Sequence, residues 1–164
     1  MTAHSVISNS FSKVFFTIIL LNRSAKRAEA AMLEGIESLN IDADANENLL
    51  RTSIAAAVQA ERRLGIPPQG EIEEARSILP RELRRVLLLR ANLRLCFVMR
   101  VLAAIPGEEC ARLLRLTSDE VEEFTCSALQ ALTEIARNEK SAPGSTERAT
   151  VRIPLAQQCR LYSS

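Results

Sequence analysis

A chain of 164 residues with 21 basic and 20 acidic side chains, one histidine and no tryptophan has room for one ordinary domain or two small helical ones. Five glycines, scarce aromatics and an abundance of Leu, Ala, Glu and Arg exclude a β-rich architecture and point to an all-α fold. The net charge of +1 says nothing about partners, but its distribution does. Residues 71–100 hold seven arginines against four glutamates, and residues 101–137 hold three arginines against seven acids. A basic strip is thus followed directly by an acidic one.

In chain order, residues 1–9 carry no pattern that would tether them. A first helix is expected from about Ser10 to Leu21, apolar on almost every side and therefore buried. Its run Val14–Leu21 is far too short to span a bilayer and makes a poor signal peptide, since Lys13 is the only basic residue close ahead of it. Asn22-Arg23-Ser24 breaks the helix, and Ser24 caps a second one reaching about Leu39. That helix places Ala28, Ala31, Met32, Gly35, Ile36 and Leu39 on one stripe. Asn40–Asn46 is a polar turn. A third helix follows from about Glu47 to Arg63, with Leu49, Leu50, Ile54, Ala57 and Val58 inward.

Gly65-Ile66-Pro67-Pro68-Gln69-Gly70 opposes helix and is the expected linker between two lobes. The organisation read from the sequence is therefore an N-terminal helical lobe over 1–64, a linker at 65–70, a second helical domain over 71–137, and a tail at 138–164. Within the second domain a short helix over Glu71–Leu79 stops before Pro80, and residues 81–104 read as one long helix or two abutting ones. Arg81, Arg84, Arg85, Arg90, Arg94 and Arg100 form a strip suited to a phosphate backbone or an acidic partner, or simply to solvent.

Residues 96–132 read as helix, turn, helix, turn, helix. Pro106 stands where a helix starts, its missing N–H costing nothing there, and Glu108 and Glu109 oppose the positive end of the dipole. Ala111 lies inward beside Cys110, Leu113 and Leu114, small enough for a neighbouring helix to cross closely. Thr117 and Glu120 form a capping box for the last helix. There Val121, Phe124, Ala128 and Leu132 recur at three- and four-residue steps and face the core. This is helix-turn-helix spacing.

Over about 44 residues this segment resembles the fourth conserved region of bacterial RNA polymerase sigma factors, in particular the small extracytoplasmic-function class. The pattern LxxxxRxxFxLR is met by Leu89, Arg94, Phe97, Met99 and Arg100. EEIAxxLxIS is met by Glu108, Glu109, Ala111, Leu114 and Leu116, and TVKxxLxRAxxxL by Val121, Ala128 and Leu132. A weaker echo of the AEDxxQExF helix, by which such factors grip polymerase, lies in Ala28-Glu29, Glu34 and Ile36. The resemblance implies binding to RNA polymerase core through Glu29, Glu34, Arg100 and Glu108, and to promoter DNA through Arg112, Arg115, Ser118, Glu122, Glu123 and Cys126. It also implies an anti-sigma protein as a further partner.

The expected recognition helix nevertheless opens with Asp119, Glu120, Glu122 and Glu123 where the family carries Lys, Arg and Ser. Carboxylates repel phosphate instead of releasing counterions. The alternative reading is the same fold used as a protein-interaction module in transcription regulation, with its acidic helix on a basic protein surface. No Ser-His-Asp, Cys-His, P-loop or dinucleotide signature is present, so neither catalysis nor a cofactor is expected. Cys96, Cys110, Cys126 and Cys159 include no CxxC pair, and His4 is the sole imidazole. A metal site and a disulfide framework are both unexpected, and reduced thiols point to the cytoplasm.

Overall fold

The computed structural model describes residues 3–38 and 45–140, and all regular structure among them is helical. The helices are α1 (Ala3–Asn22), α2 (Ala25–Glu37), α3 (Ala45–Leu64), α4 (Gln69–Ile78), α5 (Ala91–Phe97), α6 (Gly107–Leu114) and α7 (Ser118–Lys140). A 3₁₀ turn over Arg84–Leu88 precedes α5, and a π turn over Val98–Leu102 follows it. The chain divides into two compact units, Met1–Leu88 and Leu89–Ser164. The stretch 65–70, expected as the linker, lies inside the first of them.

In the first unit α1, α2 and α3 pack on one another, and α4 packs on α2. Ile18, Ile19, Leu20 and Leu21 of α1 are sealed from solvent, as its apolar circumference requires. The helix ends because Arg23 turns left-handed, with φ 53°, and its N–H reaches back to the Ile19 carbonyl at 2.7 Å. Ser24 is then extended, and its hydroxyl accepts the Arg27 N–H at 3.2 Å while donating to Glu71 at 2.6 Å. One serine thus caps α2 and ties it to α4.

The buried face of α2 is Ala25, Ala28, Ala31 and Gly35. Ile36, expected on that stripe, points outward instead, and Met32 is only half-buried. The cause is a close crossing. Gly35 lies against Ser53 of α3, where a Cβ would meet the Ser53 hydroxyl and come within 3.0 Å of its backbone nitrogen. An approach this close selects the small-residue face and turns the large residues away. Leu39 and residues 40–44 of the polar turn expected over Asn40–Asn46 fall outside the described residues, and Ala45 and Asn46 already belong to α3.

After α3, Gly65 adopts φ 63° and its N–H closes on the Glu61 carbonyl at 3.0 Å, a helix stop suited to glycine. The Arg27 guanidinium holds the Gly65 carbonyl at 2.6 Å, and Pro67 is buried. At the far end of α4, Arg84 donates from Nε to the Leu79 carbonyl at 3.0 Å and from Nη2 to that of Ser77 at 3.4 Å. The arginine therefore caps a helix terminus whose carbonyls have no helical partner.

Residues 81–104, which read as one long helix or two abutting ones, form the 3₁₀ turn and then, after a break at Leu89–Arg90, α5 running into the π turn. Val86 is buried in the first unit and Leu89 in the second, yet three residues apart they would share one helix face. Serving two cores breaks the helix between them. Arg90 is extended, and its carbonyl accepts the Arg94 N–H at 2.9 Å to begin α5. In the second unit α5 packs against α7, and α6 packs against both α7 and the π turn. The buried apolar positions of this unit are Leu89, Cys96, Phe97, Val98, Met99, Ile105, Cys110, Ala111, Val121 and Ala128. The helix expected to fade at 138 continues to Lys140.

Candidate interaction site on the α6–α7 helix pair

The pair is built from local signals. Pro106 is extended and precedes α6, which starts at Gly107, one residue later than expected for a proline at the first helical position. Glu108 and Glu109 occupy the first turn and Arg112 the last, each favourable to the helix dipole. Cys110 and Ala111 are buried and Arg112 is exposed, so α6 is amphipathic with a small-residue inner face. Arg115 ends it in the left-handed region, φ 57° and ψ 44°, and the Leu116 N–H returns to the Ala111 carbonyl at 2.9 Å. Only Arg115, Leu116 and Thr117 separate the two helices.

Thr117 and Glu120 close the turn. The Glu120 carboxylate accepts the Thr117 N–H at 2.7 Å and its hydroxyl at 3.0 Å, and the Thr117 oxygen accepts the Glu120 N–H at 3.2 Å. The two bonds that the carboxylate accepts, first the backbone N–H and then the hydroxyl, hold the Glu120 carboxyl below its ordinary pKa by stabilising the ionised form. Val121 and Ala128 are buried, and Phe124 and Leu132 are half-buried. That leaves Ser118, Asp119, Glu120, Glu122, Glu123 and Gln130 exposed on the other side. Across 107–130 six carboxylates stand against two arginines.

Of the residues singled out for DNA contact, Arg112, Arg115, Ser118, Glu122 and Glu123 are exposed on this helix pair. Cys126 is half-buried, and Cys96 and Cys110 are free thiols. Cys126 sits at the half-open edge of α7, whereas Cys96 and Cys110 are sealed in the core. Burial pushes the Cys96 thiol up to about 11. It pushes Cys110 up to about 12, against the opposing pull of the nearby Arg100 charge.

Of the residues singled out for polymerase contact, Glu29 and Glu34 are exposed on α2, and Glu108 is exposed on α6. Arg100 is half-buried and donates to the Ile105 carbonyl at 2.9 Å, so it braces the loop before α6. The arginine strip is dismantled in the same way. Arg94 is 1% exposed, with Nη1 reaching the Leu89 carbonyl at 3.4 Å. Arg84 is committed to the end of α4, and only Arg81 and Arg90 of the six are exposed. No continuous basic track emerges, and guanidinium groups bind carbonyls at helix ends and loops instead.

Among the described residues no cluster of His, Cys, Asp or Glu has the form of a metal site. No described helix is long and apolar enough to cross a membrane. No family model matches the chain, and no curated protein or solved structure matches it at a significant level.

Proposed function

We propose that this chain is a sigma-like helical protein of transcription regulation that works by docking on protein, with the outer face of α7 as its contact surface. The observation that carries this reading is the exposed carboxylate group Asp119, Glu120, Glu122 and Glu123, presented by a capped helix on a three-residue turn. Such a face repels the phosphate backbone, which supplies most of the affinity in DNA binding. A basic protein surface answers it. The resemblance of the segment to sigma region four makes RNA polymerase core the first partner to test, with Glu108 on the adjoining helix as a further contact.

Promoter binding is the second reading, and Arg115 is what favours it. A non-glycine residue in the left-handed region costs about 1 kcal/mol or more, and the chain retains an exposed arginine there beside Arg112. The two readings separate on duplex DNA at low salt. Protein docking predicts no duplex binding, and loss of partner binding in Glu122→Lys/Glu123→Lys. Promoter binding predicts affinity that falls steeply with salt and is lost in Arg112→Glu/Arg115→Glu.

A further inference from the structure

Helix α2 is built inside out. Its buried face is three alanines and a glycine, while Leu33 is 62% and Ile36 43% exposed. The exposed stripe reads Lys26, Glu29, Ala30, Leu33, Ile36 and Glu37. These residues fall within about 60° of the Leu33 direction at 100° per residue. The charges also run against the helix dipole. No acid stands in the first turn and no base in the last. Lys26 and Arg27 occupy the positive end, and Glu34 and Glu37 the negative end. That arrangement disfavours an isolated helix and favours an antiparallel neighbour of the same kind.

We infer that the outward face of α2 is a self-docking surface, and that its occupant is α2 of a second copy of this chain in a two-fold antiparallel pair. Matching the charges fixes the register. Lys26 opposite Glu37 of the second copy sets Leu33 over Ala30, a large side chain above a small one, and symmetry repeats both contacts. The same register brings Ile36 over position 27. There the Arg27–Gly65 bond of 2.6 Å holds the loop that exposes Leu64 and Ile66, so further apolar surface lies at each end of the seam. One like-charge approach remains, Glu29 towards Glu34, and Glu34 lies about 100° from Leu33, out of the seam. This face also carries Glu29, and Glu34 borders it; these are the α2 positions expected to meet polymerase, so self-docking and that contact compete for α2. The inference itself rests on α2 alone and needs neither reading of α7.

The experiment is sedimentation equilibrium of the full chain, at low and high salt, from about 10 µM to about 1 mM. The wild type is expected to shift from monomer to dimer mass, less so at high salt. Leu33→Glu is expected to stay monomeric. Lys26→Glu and Glu37→Lys each place like charges at both ends of the pair and should also stay monomeric, although each improves its own helix's match to the dipole. Mixed one to one they restore both charge contacts, and the dimer should return as a heterodimer. Circular dichroism of each variant checks that it is folded. A wild type that remains monomeric throughout overturns the inference, leaving the face to a different protein. So does a dimer that survives unchanged in Leu33→Glu, or a mixture of the two charge variants that fails to associate.

Discussion

Gly35 decides the geometry of the first unit. An alanine there gains about 1 kcal/mol in helix propensity, but its methyl would be driven into Ser53 of α3, and such overpacking costs roughly 1–3 kcal/mol. Gly35→Ala is therefore expected to lower the denaturation midpoint, and Ser53→Ala in the same chain should recover part of the loss by removing the hydroxyl. A double-mutant cycle by urea unfolding checks this. Burial argues a second residue-scale outcome. With thiols pushed up to about 11 and about 12, Cys96 and Cys110 carry almost no thiolate at neutral pH. Both should resist a thiol reagent in the native protein and react on unfolding. Prompt modification of either in the folded chain would show the core to be open.

At the scale of the element, the capping box at Thr117 and Glu120 is the part most legible in the sequence, because its signal is local and complete. Thr117→Ala is expected to cost about 1 kcal/mol. It should also raise the Glu120 pKa part of the way, since the Thr117 N–H, the larger cause of the lowering, remains and only the hydroxyl bond is lost. A carboxyl whose folded pKa lies below its unfolded value adds stability above the unfolded pKa, and that contribution is lost as pH falls through the folded one. The variant should therefore show less acid-dependent loss from this group, read by side-chain NMR titration. The turn itself was less legible. Nothing in Arg115 announces a left-handed conformation, which glycine or asparagine would have signalled. Arg115→Gly is expected to stabilise the protein by roughly 1 kcal/mol, and a loss of stability would show that the guanidinium holds the turn.

For the whole molecule, the all-α class and most helix positions follow from composition, period and caps. What escaped the sequence depended on tertiary contact. The period of α2 puts Ile36 on the inward stripe, and the Gly35–Ser53 crossing selects the small face instead. The break between Val86 and Leu89 appears only once two cores compete for neighbouring residues. The arginine strip looked like a surface because guanidinium groups bound to helix-end carbonyls and those facing solvent share one sequence pattern.

The central claim is that the acidic face of α7 meets protein. Its most direct measurement is co-purification of RNA polymerase core from the native host with tagged wild-type chain and with tagged Glu122→Lys/Glu123→Lys. The account predicts core subunits with the wild type and their loss with the charge reversal. Core recovered equally by both, or by neither, would contradict it.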